Sequence, residues 1–141
     1  MNLIPKFFNF KKSFKIKPTK FKKEKRTNKI VFGTFGILSL EAGYLKSVHI
    51  ETIKKLLSKK LKKRGLYWIR IFPNLPITNK SIGVRMGKGK GNVAYWVFPS
   101  TKNRMLFEFN GISFKEAKIL FKTCSLKLPL KTKLLIKKKF L

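Results

Sequence analysis

The chain has 141 residues, with 35 Lys and Arg against five Glu and no Asp, a formal net charge of +30, and 43% hydrophobic residues. That apolar share excludes a disordered polyelectrolyte and fits one compact domain with a basic extension. Two unit charges about 10 Å apart in water repel by roughly 0.4 kcal/mol. About thirty uncompensated charges therefore exclude a chain with no counter-charged partner, and RNA is the first candidate, with DNA or anionic lipid behind it.

Residues 1–29 read as a basic arm. Ten Lys and one Arg meet one Glu there, with Phe7, Phe8, Phe10, Phe14 and Phe21 interleaved. Pro5 and Pro18 argue against one continuous helix. A transit peptide would be rich in Arg and Ser. Here the first Arg is Arg26 and Ser13 stands alone, so the segment reads as an arm that threads RNA.

A single domain is expected over 30–136, with a basic tail at 137–141. Residues 30–40 are apolar and broken by Gly33 and Gly36, which predicts one or two bent strands. The clearest helix is 47–64, with Ile50, Ile53, Leu57 and Leu61 at helical spacing. Ser47 is the expected cap and Gly65 the expected stop. His49, in the first turn, is read as a surface or packing residue. A strand follows at 66–72, where Tyr67, Ile69 and Ile71 alternate with Trp68, Arg70 and Phe72. Pro73-Asn74-Leu75-Pro76 reads as a turn. Strands are expected at 93–99 and 105–109, joined by a polar turn at 100–103. Asn110-Gly111 is a turn signal. A second amphipathic helix spans 113–125, with Ser113 and Glu116 in capping-box spacing and Ala117, Leu120, Phe121 and Cys124 on one face. A last strand is expected over 130–136. The layout is α+β: a mostly antiparallel sheet with two packed helices, an α/β sandwich carrying a glycine-lysine loop and a basic N-terminal arm.

The loop is Val84-Arg85-Met86-Gly87-Lys88-Gly89-Lys90-Gly91-Asn92. Glycine permits positive φ and close backbone approach. Successive N–H groups can then cradle an anion. Lys88 and Lys90 add charge, and Arg85 can fork onto phosphate. The bland alternative is a flexible hairpin loop with incidental lysines. Nucleotide motifs fail on spacing. Five residues after Gly83 stands Lys88 and five after Gly87 stands Asn92, so no P-loop forms. Asn92 also stands where the dinucleotide fingerprint needs its third glycine.

Other chemistries find no residues. One Cys (Cys124) and one His (His49) build neither an internal disulfide nor a structural zinc site, and Cys124 reads as a buried thiol. Five scattered Glu do not make an acid–base pair, so no enzyme and no cofactor is expected. The longest apolar run, 93–98, is far short of the ~20 residues of a spanning helix.

Several motifs together carry a resemblance. Tyr67-Trp68-Ile69-Arg70-Ile71-Phe72-Pro73, Pro76-Ile77-Thr78, the loop itself and Tyr95-Trp96-Val97 resemble the large-subunit ribosomal protein sixteen family of bacteria and organelles. Phe32-Gly33-Thr34-Phe35-Gly36, Leu106-Phe107-Glu108 with Gly111, and Lys127-Leu128-Pro129-Leu130-Lys131-Thr132 extend it over roughly 17–136. The resemblance implies a structural, non-enzymatic protein on large-subunit rRNA near the peptidyl-transferase centre, with its loop towards tRNA. It makes Arg85, Lys88 and Lys90 loop contacts and Lys20, Lys22 and Lys23 an rRNA-gripping arm. The whole expected RNA-contacting set adds Arg26, Arg64, Arg70, Met86, Gly87, Gly89, Gly91, Asn92 and Lys131. Two departures stand out. The arm match at Lys17-Pro18-Thr19-Lys20-Phe21-Lys22-Lys23 is weak and follows an extra Phe/Lys segment, and Lys46 stands where the family has a capping Thr.

The expected partners are large-subunit rRNA, tRNA and neighbouring ribosomal proteins, with no membrane and no homo-oligomer. Only five of the basic residues are Arg, and Phe, Ile, Leu and Asn are abundant, which reads as drift in an AT-rich genome. That points to a mitochondrial ribosome and an organelle-encoded chain, with a plastid or the cytoplasm of an AT-rich bacterium as the alternative. The competing functional readings are a non-ribosomal RNA chaperone of the same fold and a membrane-surface cationic protein.

Overall fold

The computed structural model describes residues 3–7, 12–15, 17–18, 23–62 and 64–137. Seven strands and two helices follow in the order β1 (Phe35–Ser39), β2 (Gly43–Lys46), α1 (Ser47–Leu61), β3 (Tyr67–Ile69), β4 (Leu75–Asn79), β5 (Asn92–Ser100), β6 (Met105–Phe109), α2 (Phe114–Ser125) and β7 (Thr132–Ile136). The α+β class holds. The expected single sheet is instead two: a four-stranded sheet in the order β3-β6-β1-β7 and a three-stranded sheet in the order β2-β5-β4. Their strand pairs are antiparallel.

The first sheet is buried on both faces at its centre, since every residue of β1 and β6 is buried. Phe35 and Ile37 pair with Phe109 and Phe107 and pack with Ile50, Ile53, Leu57, Leu120 and Cys124 of the two helices. Burying a side chain of this size contributes about 1.5–3 kcal/mol, so this layer supplies most of the stability. On the other face Gly36 pairs with Glu108. A Cβ at Gly36 would press on Met105 and Ile30, so glycine here lets residues 24–33 lie flat on the sheet.

Several sequence expectations shift in the structure. Residues 30–34 form no strand. They bend over Glu108, and only Phe35–Ser39 pairs. The cap of helix α1 is Lys46 rather than Ser47, which is the first helical residue: Lys46 has extended backbone and its N–H donates to His49 Nδ1 at 3.3 Å. The helix ends at Leu61, where the apolar stripe ends, and Lys62 (φ 46°) turns the chain away. Gly65 therefore does not stop the helix. Its hydrogen side lies against the Asn110 carbonyl, where a Cβ would fall far inside contact distance. β4 runs through Pro76, placed in a turn by sequence. A strand proline is tolerated because β4 is an edge strand. In α2 the Ser113 and Glu116 capping box is present as read.

Candidate nucleic-acid interface

The five glutamates, all the acid this chain has, hold the body together. Glu108 is fully buried. Its Oε2 accepts from the N–H groups of Val31 (3.1 Å), Phe32 (2.7 Å) and Gly33 (3.1 Å), and its Oε1 pairs with the Arg70 guanidinium. Arg70 also lies 5.0 Å from the Phe32 ring, which stacks on Trp68 at 5.9 Å. Glu24 Oε2 meets Arg104 at 3.1 Å, and its Oε1 accepts from Arg26 N–H at 3.0 Å. That amide hydrogen bond, ahead of the Thr27 amide and Arg104, holds the Glu24 carboxyl below its usual range. Arg104 also donates to Thr27 Oγ1 at 2.6 Å, so residues 24–27 are fastened to the β5–β6 turn. Glu51 accepts from Leu3 N–H at 3.0 Å, Glu41 meets Lys131 at 3.2 Å, and Glu116 caps α2. The Ser113 amide and hydroxyl hold the Glu116 carboxyl low.

The basic loop is built the opposite way. It fills residues 80–91 of the β4–β5 hairpin, which closes with Asn79 paired to Asn92. Residues 81–90 are all exposed, Met86 to 94%. Gly87 (φ 99°), Lys88 (φ 50°) and Gly89 (φ 86°) are consecutive left-handed residues. A Cβ at Gly87 or Gly89 would meet nothing, so these two glycines serve backbone conformation and not packing. Gly91 differs, because its Cβ would strike the Asn79 carbonyl; it closes the neck. Lys80 Nζ donates to the Gly87 carbonyl and bends the loop back on itself.

The expected contact residues fall in several places. Arg85, Met86, Gly87, Lys88, Gly89 and Asn92 lie together on the loop and its first strand residue, all exposed. Lys90 and Gly91 form the neck. Lys23 and Arg26 are exposed beside the Glu24 anchor, and Arg64 is exposed at the α1–β3 corner beside Asn110 and Gly111. Lys131 is exposed and paired with Glu41. Arg70 is turned inward onto Glu108, which gives its guanidinium a structural partner. Lys20 and Lys22 lie outside the described residues. Sequence reading missed Arg104, which meets Glu24 and Thr27, and the arm residues Lys12 and Phe14, which meet Lys90 of the loop, each only through the fold. Among the described residues no group of His, Cys, Asp or Glu could hold a metal, and no helix there is long and apolar enough to cross a membrane. Cys124 is buried as expected, and burial pushes its thiol up to about 11.

A small body whose carboxylates all serve its own scaffold, and whose outside is lysine, defines a structural protein of a ribonucleoprotein. The chain matches the family of ribosomal protein L16p/L10e over residues 5–135. It is 45% identical over 130 residues to the large ribosomal subunit protein uL16 of Buchnera aphidicola subsp. Cinara cedri (strain Cc), covering 92% of this chain and 93% of that one. It is 44% identical over 124 residues to uL16 of Blochmanniella floridana, covering 82% and 93%. The chain belongs to the ribosomal protein L16p/L10e family. It is a structural constituent of the large ribosomal subunit, not an enzyme, with rRNA and ribosomal proteins as partners. A free-standing RNA chaperone is not favoured. The mitochondrial expectation is overturned: these relatives are bacterial and point to a bacterial ribosome. The Lys-rich, Arg-poor skew on which that expectation rested does not distinguish an organelle from a bacterium.

Proposed function

We propose that the loop tip, Arg85, Met86 and Lys88, contacts tRNA bound to the large subunit, while Lys23, Arg26, Arg64 and the lysines of α1 grip rRNA. The observation that carries this is the partition of charge. Every glutamate is engaged in the scaffold, whereas ten consecutive exposed residues of the loop carry only cations. The consecutive left-handed residues Gly87, Lys88 and Gly89 set a backbone that few other residue combinations would adopt. A protruding, conformationally set loop of this kind suits a ligand that arrives and leaves. The four exposed lysines Lys54, Lys55, Lys59 and Lys60 of α1 suit a permanent phosphate backbone.

Replacing Arg85 and Lys88 by Ala tests the division. Assembly into the subunit should persist, because rRNA affinity is spread over the body, while tRNA accommodation falls. Each lost phosphate contact should reduce the log–log salt slope of binding by roughly 0.7–0.9. If the variant fails to enter the subunit at all, the division of labour is wrong.

A further inference from the structure

Lys90 is not a free loop lysine. Its Nζ donates to the Ser13 carbonyl and sits 4.6 Å from the centroid of the Phe14 ring. In return Lys12 Nζ donates to the Lys90 carbonyl at 3.0 Å. Two further lysines rest on nearby chain elements in the same manner: Lys15 at 5.5 Å from the Tyr44 ring of β2 and Lys46 at 4.8 Å from the Tyr95 ring of β5. Lysines from the arm, from β2 and from the loop neck therefore each rest on a ring face or a carbonyl dipole. Such partners orient an ammonium but leave its charge in place. Each glutamate of the chain is engaged elsewhere, so Lys12 and Lys90, held together at the loop neck, retain their need for an anion.

Phe14 supplies the second half of the site. It is 88% exposed although an ammonium lies over one face of its ring, so the rest of the ring is open to solvent. A phenylalanine held out of the core with the Lys90 ammonium over one face, and with Lys12 bonded to the Lys90 carbonyl, matches what an unpaired nucleotide presents: a flat apolar base joined to a phosphate. Bases inside a duplex hide their faces and would gain nothing from the ring.

We propose that residues 12–14 of the arm and Lys90 form one composite site for an unpaired rRNA nucleotide, its phosphate held by Lys12 and Lys90 and its base stacked on Phe14. This rests on the ribosomal reading but not on the loop tip's contact with tRNA. It gives the arm a defined seat on the body, and it makes the loop neck an rRNA anchor from which the tip projects.

The test uses the full chain with a 5-iodouridine-substituted oligouridylate, and an RNA duplex of equal length as control. Irradiation should attach the single strand to the peptide carrying Phe14 and leave that peptide unmodified with the duplex. Phe14→Leu keeps every charge and removes no core residue. It should abolish that cross-link and weaken single-strand binding roughly 5- to 100-fold, with duplex affinity unchanged. In assembled subunits the nucleotide cross-linked to this peptide should come from rRNA. Cross-links confined to other peptides, equal losses for single strand and duplex, or a tRNA nucleotide on this peptide would each overturn the proposal. Failure of the loop-tip reading shows elsewhere, as unchanged tRNA accommodation in the Arg85 and Lys88 variant.

Discussion

Replacing Arg70 by Met separates a structural arginine from an RNA-binding one. Methionine keeps an unbranched stem against Phe32 but removes the partner of Glu108 Oε1. Stranding one member of a buried ion pair costs about 3–5 kcal/mol. Two features reduce that here: the three amides of residues 31–33 still serve Oε2, and the Arg70 side chain is 21% exposed, so water can enter. The expected loss is about 2–3 kcal/mol, or roughly 6–12 °C in Tm for a chain of this length. Glu108→Ala should cost more, about 3–5 kcal/mol, because it strands both the guanidinium and the buried Gly33 N–H. The double variant should cost less than the sum, since each change removes the same pair. Urea denaturation followed by the fluorescence of Trp68 and Trp96 reads all three. RNA binding by Arg70→Met should keep its salt slope, since that guanidinium is already neutralised. An unchanged midpoint with a slope reduced by about one would refute the assignment and make Arg70 a phosphate contact.

Other consequences follow from the same geometry. Gly87→Val places a β-branched residue at φ 99° with open space around it. It should leave Tm within about 1 °C but cost the loop conformation about 1–2 kcal/mol, seen as a 5- to 30-fold weaker tRNA interaction in assembled subunits. Gly65→Ala should lower the urea midpoint sharply, because its Cβ would collide with the Asn110 main chain. The Cys124 thiol, raised to about 11 from an ordinary 9.0, contributes stability that is full below pH 9 and lost as pH rises through 11. Cys124→Ala should lack that part of the alkaline decline, and native Cys124 should react with a thiol reagent only on unfolding. Glu24 is lowered, so its contribution is present above about pH 4.5 and lost as pH falls through the folded value. Glu24→Gln should show a shallower acid limb in denaturation as pH falls below about 4.5.

Much of the fold is legible where local patterning and tertiary packing agree. β6 falls where the apolar run of 105–109 places it, and α2 carries its capping box and its buried stripe of Ala117, Leu120 and Cys124. β2 is not legible because the partner that makes it a strand, β5, is remote in sequence, and β4 is not because Pro76 reads as a breaker and its pairing with β5 spans the long loop. The loop is legible from its own glycines and lysines. The role of Arg70 is not. Its scarcity marks it as geometrically demanding, but the demand comes from Glu108, 38 residues away. The arm's return to the loop is invisible for the same reason: Lys12 and Lys90 are separated by 78 residues, and nothing local to either announces the other.

The central claim is that this basic chain is a fixed component of the large subunit. Sedimentation of ribosomes from cells carrying an epitope-tagged copy tests it most directly. The account predicts that the tagged chain travels with the large subunit in a one-to-one ratio and stays there in moderate salt. Recovery only in light, RNA-free fractions would contradict it.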